Sequence, residues 1–331
     1  MLIERLRLPH HPMPDQPKLL GPDRRYERWR WQIFGITWLA YAGFYLTRKS
    51  FSVAKIDLAK PEVLGMSDVD MARVDGAYLL AYAIGQFIWG IAGDRWGARR
   101  VVLGGLVGSV ISAIAMGAST TVVVFGVLFF IQGLCQSTGW APLSKNLGNF
   151  FSRRERGIVM GAWCSNYAVG GLVASIFAGA VGDRFGWRYA FFLPALALLV
   201  IAGLFFWLQR NRPEDVGLVP VETYHREVPD VPASQESGAP EPEGSWDAIL
   251  GVLRNPMVLL LAAIYFLLKP ARYAILFWGP KYIHDKLGSG MTKSGVVSAM
   301  FELAGVFSVV AAGFLSDKLF GSRRMPVSVS R

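Results

Sequence analysis

The chain has 331 residues, 53% hydrophobic and only 18% charged, against roughly a quarter charged in ordinary soluble domains. Its apolar residues gather in runs of about 20, the length that crosses a ~30 Å hydrocarbon core as a helix. The formal net charge of +10 does not point to nucleic acid, because Lys and Arg are dispersed through short loops rather than along one basic stripe. The expectation is an all-α integral membrane protein.

The first 31 residues have no apolar core segment and no small-residue cleavage site, so they read as a basic tail rather than a signal peptide. Apolar runs then predict spans near 32–56, 72–92, 101–118, 121–143, 157–181, 187–208, 257–283 and 294–315. Arginines precede the first span and follow the second, fourth and sixth, which places those ends and the N-terminus in the cytoplasm.

Between Trp31 and Ile56 the only charges are Arg48, Lys49 and Lys55. An arginine at mid-bilayer costs roughly 2.5–3.5 kcal/mol on insertion scales, so it faces protein or a water-filled cavity. The alternative is that Arg48 and Lys49 snorkel at the end of the helix. Tyr41, Tyr45 and Arg48 share one helical face. So do Tyr78, Tyr82 and Gln86 in the second span, and Gln132, Gln136 and Trp140 in the fourth. Polar stripes of this kind face the interior of a bundle, as substrate contacts or as interhelical hydrogen bonds. Cys135 and Cys164 sit inside apolar runs, and His10, His11, His225 and His284 have no metal-ligand spacing. No metal, cofactor or enzyme activity is indicated: no nucleophile set and no phosphate-cradling glycine loop stands out.

Residues 209–247 are rich in Pro, Glu, Asp and Ser and read as a cytoplasmic linker unable to fold alone. The expected organisation is therefore a tail (1–31), a six-helix bundle (32–208), the linker (209–247) and a partial second bundle of two helices (248–331). Glu302, near the middle of the eighth span, has no partner visible in the sequence. Three related loops, GDRWGARR (93–100), GDRFGWRY (182–189) and SDKLFGSRR (316–324), recur after spans two, five and eight. Recurrence every three helices is the nested repeat pattern of a secondary transporter.

Gly90 to Arg100, GIAGDRWGARR, resembles the loop signature of the major facilitator superfamily. More specifically, YAGFYLTRKSF, AYAIGQFIWG, QSTGWAP, FFSRRERG, RPEDVGL and ARYAILFWGPKYI in this order resemble the organophosphate:phosphate antiporter family, from about Arg28 to Arg324. The resemblance implies the major facilitator fold and exchange of a sugar phosphate or glycerol phosphate for inorganic phosphate by alternating access. It also implies a multi-pass protein of the bacterial inner (plasma) membrane, with the lipid bilayer and small anions as its partners. By local motif, the family's two phosphate-binding arginines fall on Arg48 and Arg272, with Tyr41, Tyr45, Tyr82, Gln86, Gln136, Trp140 and Tyr167 around them. Gating residues fall on Asp94, Arg95, Arg99, Arg100, Asp317 and Lys318.

Arg48 lies 16 residues after Gln32 and Arg272 16 after Pro256, so both are expected about 24 Å along the first helix of their halves. A guanidinium suits the task, because its planar fork donates in parallel to two phosphate oxygens and stays charged. Two positions depart from the family pattern: Gln86 stands where well-known carriers have lysine, and Tyr167 where they have histidine. The family has twelve helices and the motifs here stop after eight, which reads as C-terminal truncation. The alternatives are a sugar-phosphate sensor with a transporter fold, a carrier of another organic anion, and a non-functional truncated carrier. The sequence carries no signal for an oligomeric state.

Overall fold

The protein is seen in a computed structural model that describes residues 23–225 and 254–320, with the backbone alone for 153, 154, 225 and 306–320. In chain order the helices are α1 (Arg24–Leu58), α2 (Asp68–Trp96), α3 (Ala98–Ala118), α4 (Val122–Gln136), α5 (Trp140–Phe150) and α6 (Arg153–Trp163). They continue with α7 (Ser165–Phe185), α8 (Tyr189–Leu208), α9 (Val221–His225), α10 (Pro256–Leu287) and α11 (Met291–Phe320). Every predicted span falls on helix apart from its ends and the breaks at 137–139 and 164.

Local chemistry sets the ends. Asp23 caps α1 by accepting from the Arg25 amide, Ser67 and Asp70 form a capping box on α2, and Asn255 caps α10 with Pro256 in its first turn. Gly288, at φ 59°, closes α10 in the left-handed region. The predicted start of α1 is late, since the polar turns from Arg24 to Trp31 are already helical. Arg48 and Arg272 therefore do not stand equally far from their helix starts. The start of α1 marks what is called here the near end of the bundle, and Leu58 its far end.

The fourth and fifth spans are each broken in two. Between α4 and α5, the hydroxyls of Ser137 and Thr138 turn back onto the carbonyls of Leu134 and Cys135. Gly139 lies so close to α1 that a Cβ would sit 2.9 Å from the Tyr41 ring. Cys164 makes the second break, where the Ser165 hydroxyl donates to the Ala162 carbonyl and accepts from Trp38 Nε1.

Six of the described spans are long and apolar enough to cross a membrane, and α1 is not among them. Its composition answers to protein rather than lipid. Helix α1 is enclosed by α7, α8, α10 and α3, and Arg48, Lys49, Ser50, Ser52 and Lys55 are all buried. Snorkelling of Arg48 and Lys49 is thereby ruled out. Around it, α2 packs on α4, α3 on α4 and α8, and α7 on α11. The core has two apolar clusters: one towards the near end around Phe44, Leu147, Trp163 and Leu198, the other around Phe51, Phe125, Phe129 and Phe277. Phe277 brings the second half of α10 into the core of the earlier helices.

Part of the predicted linker is folded against the bundle. Pro213–Val216 form a 3-10 turn, the Tyr224 ring stacks on Tyr26 at 3.9 Å, and Arg25 Nη2 donates to the Val216 carbonyl. Two aromatic faces and a self-capped turn supply the burial that the composition alone does not suggest. The remainder of the predicted linker, from 226, and the predicted tail up to 22 lie outside the described residues.

A test of the packing lies at Gly170, where a Cβ would stand 2.8 Å from the Ala42 carbonyl oxygen of α1. Gly170→Ala is expected to lower unfolding stability in detergent by roughly 1–3 kcal/mol, the cost of overpacking. Gly35→Ala, whose new carbon meets nothing within 4 Å, should not lower it.

Candidate functional site

One face of α10 runs along a cavity of about 890 Å³, presenting Tyr265, Lys269, Arg272, Tyr273 and Leu276. The spacing is that of a single helical stripe. Opposite it stand Tyr41, Tyr45 and Arg48 of α1, Tyr82 and Gln86 of α2, Trp140 of α5 and Tyr167 of α7. Every substrate-contact residue expected from the sequence lines this cavity except Gln136, which is buried directly behind Arg48.

Gln136 sets the pose of Arg48. Its Oε1 accepts from Arg48 Nε at 2.8 Å and from the Tyr78 hydroxyl at 2.7 Å, while its Nε2 donates to Thr47 Oγ1 at 3.1 Å. The guanidinium then stacks among rings, with Cζ 4.4 Å from the centroid of Tyr45 and 5.2 Å from that of Tyr82. Arg48 is only 2% exposed, yet its Nη2 has no acceptor. A buried charged donor without a partner is rare and costly. Arg272 is held in a similar way, its Cζ 4.6 Å over the Tyr167 ring.

Three charges link α1 to the later helices. Glu302 of α11, which has no visible partner in the sequence, lies 3.7 Å from Lys49 and 3.8 Å from Arg272. The adjacent glycines of α7 make room for this: Gly170 meets the backbone of α1, and a Cβ on Gly171 would stand 3.2 Å from the Glu302 carboxyl. Lys49 also donates to the Leu276 carbonyl at 3.1 Å.

Towards the far end the bundle is closed by further polar contacts. Lys55 pairs with Asp75 at 2.5 Å and donates to the Phe277 carbonyl, and Lys281 reaches Asp68 at 3.2 Å. The carboxylate of Asp183 accepts from the Met291 and Thr292 amides at 2.9 and 2.7 Å, capping α11 from the end of α7. Towards the near end, the residues of α10 before Arg272 are exposed, Phe266 by 77%. Among the described residues the cavity is thus sealed at the far end, and the exposed first half of α10 leaves its near side open.

The residues expected as gates distribute unevenly. Asp94 binds Lys145 of α5 at 2.6 Å rather than a neighbouring arginine. Arg99 ties α3 to the exit of α8, through the Phe206 carbonyl and, from its backbone amide, Asn211 Oδ1. Arg95 and Arg100 are exposed, Arg100 beside Trp89 and Trp96 in an outer groove. The side chains of Asp317 and Lys318 lie outside the described residues. In this conformation the contacts spanning early and late helices belong to Lys49, Lys55, Asp183 and Lys281, none of them among the expected gating residues. Asp183 was legible, since it occupies in the second loop repeat the position Asp94 holds in the first.

A cavity of fixed cations within a helix bundle, shut at one end by ion pairs between early and late helices, is the architecture of a solute carrier. The family model described as Major Facilitator Superfamily matches residues 37–330. The chain is 33% identical over 309 residues to the membrane sensor protein UhpC of Salmonella typhimurium, covering 93% of this chain and 69% of that one. It is 30% identical to the glycerol-3-phosphate transporter of Bacillus subtilis, covering 97% and 72%. In fold it is similar to a solved bacterial homologue of the human lysosomal transporter Spinster, in an inward-facing and unoccupied conformation, with a TM-score of 0.69 at 16% identity. The chain spans 63% of that structure. This chain belongs to the organophosphate:phosphate antiporter family of the major facilitator superfamily. The proteins it matches are transporters and a membrane sensor rather than enzymes.

The far-end seal makes a testable statement. Asp183→Ala removes both amide caps from α11, each worth about 1 kcal/mol. Distances between spin labels at residues 62 and 286 are expected to broaden and lengthen relative to the unmodified protein.

Proposed function

We propose that the chain binds a phosphate ester between Arg48 and Arg272 and carries it across the membrane in exchange for inorganic phosphate. The observation that carries this is the Arg48 Nη2 donor, buried without an acceptor at the wall of a cavity that Arg272 also faces. Two guanidinium forks can each donate to two phosphate oxygens, and surrounding rings strengthen the field by excluding water. With the arginine-rich helix ends cytoplasmic, the open side of the cavity faces the cytoplasm. The N-terminus lies on the same side.

Exchange follows from the same geometry. An anion bridging the arginines competes with Glu302 for Arg272 and weakens the Lys49–Glu302–Arg272 link between α1, α11 and α10. Early and late helices then rock about the filled site. Closing the cavity while it is empty would bury Arg48 with an unsatisfied donor on both sides of the cycle, a cost that an anion removes. Return therefore favours a loaded carrier, and either the ester or inorganic phosphate can load it. Asp94 with Lys145, Arg99, and Asp183 with α11 serve as the gates at the two ends. Residues 32–208 act as one bundle and the residues after the linker as part of the second.

The second reading is a receptor that uses the same cavity to sense a phosphate ester, favoured by the 33% identity to a membrane sensor protein. Vesicle exchange of labelled phosphate separates the two: a carrier accumulates label against internal ester, a receptor binds without flux.

Arg48→Lys keeps the charge and loses the fork. It is expected to weaken phosphate binding by roughly tenfold or more, the value of one charge-assisted hydrogen bond, with membrane insertion intact. Unaltered affinity in a titration of the purified protein would overturn the assignment of Arg48.

A further inference from the structure

Among the described residues, the positive charge lining the cavity exceeds what a phosphate ester neutralises. Its lining carries Arg48, Lys269 and Arg272 and, among the described residues, no carboxylate. Behind the lining, Lys49 and Glu302 offset each other at 3.7 Å. A phosphate monoester brings about −1.5 to −2 at neutral pH, which leaves one cation of the lining unmatched.

That cation is identified by position. Arg48 and Arg272 are fixed by Gln136 and by stacked rings, and Arg272 also has Glu302 at 3.8 Å. Lys269 has no carboxylate within ion-pair distance among the described residues. Its Nζ stands 5.3 Å from the Tyr265 ring centroid, one turn before Arg272 on the cavity face of α10. Residues three apart on a helix place their Cβ atoms about 5–6 Å apart, so Lys269 and Arg272 can hold two anionic groups separated by a short carbon chain. Pro270, between them, also lines the cavity and removes one backbone amide from the helix.

We propose that Lys269 is a specificity-determining residue that reads a second acidic group, and that the preferred substrates are small phosphate monoesters bearing a carboxylate, of about three carbons. The inference rests on the phosphate site proposed for Arg48 and Arg272. The phosphate occupies the arginine pair, and the carboxylate projects along α10 to the ammonium at the open end of the cavity. A neutral glycerol chain leaves that ammonium to water.

The test is a titration of the purified full chain with 3-phosphoglycerate, glycerol 3-phosphate and inorganic phosphate, following the fluorescence of tryptophans at the cavity such as Trp140. The unmodified protein is expected to bind 3-phosphoglycerate roughly tenfold or more tightly than glycerol 3-phosphate, the effect of one charge-assisted hydrogen bond. In Lys269→Gln that ratio should fall to within about twofold, through loss of 3-phosphoglycerate affinity, and Lys269→Arg should restore most of it. Equal affinities in the unmodified protein, or a preference that survives in Lys269→Gln, would overturn the proposal while leaving the arginine site standing. Failure of inorganic phosphate to bind at all would overturn the arginine site and this inference with it.

Discussion

A guanidinium placed inside an apolar bundle has to be supplied with acceptors, and the way this chain supplies Arg48 governs much of the surrounding structure. Gln136 gives Nε an acceptor, but only because the fourth span breaks immediately after it and lets Gly139 approach Tyr41 of α1. Tyr45, Tyr78 and Tyr82 give the charge a polarisable wall. What is not supplied is an acceptor for Nη2. In the function proposed above, an anion completes that part of the pose.

The same economy of acceptors explains how early and late helices are joined. Lys49 and Lys55 of α1 take carbonyls of Leu276 and Phe277, just after Arg272, together with Glu302 and Asp75 respectively. Buried pairs of this type contribute little net stability, yet breaking one by removing a partner is costly. They suit the joint of the proposed exchange, which holds one arrangement until an incoming anion changes the local charge. Pairing at the far end, with exposure of the first half of α10, leaves the near side of the cavity open among the described residues.

Much of this was legible in the sequence. Arg48, Tyr41 and Tyr45 on one face, and Tyr82 and Gln86 on another, follow from helical periodicity alone, because an interior polar stripe has few alternatives in a membrane span. Arg272 was reached through its motif, and its equal depth with Arg48 failed because polar turns extend α1 well before its apolar run. The span breaks were hidden, since neither falls on a proline or a charge: Gly139 packs against α1 at the first, and the Ser165 hydroxyl donates to the Ala162 carbonyl at the second. Lys145 and Lys281 went unseen for a different reason. Their partners lie far along the chain, and a charge at a helix end looks the same whether it meets water or another helix. The folded start of the linker was concealed by its polar composition, which gives no hint that Tyr224 finds the face of Tyr26.

The central claim, that Arg48 and Arg272 grip one anion between them, is tested most directly by a double-mutant cycle on inorganic phosphate affinity with Arg48→Lys and Arg272→Lys. Residues that share a ligand are energetically coupled. The account requires each single change to weaken binding and the double variant to be weaker by clearly less than the product of the two single effects. Strictly additive losses, or an Arg272→Lys protein with undiminished affinity, would contradict it.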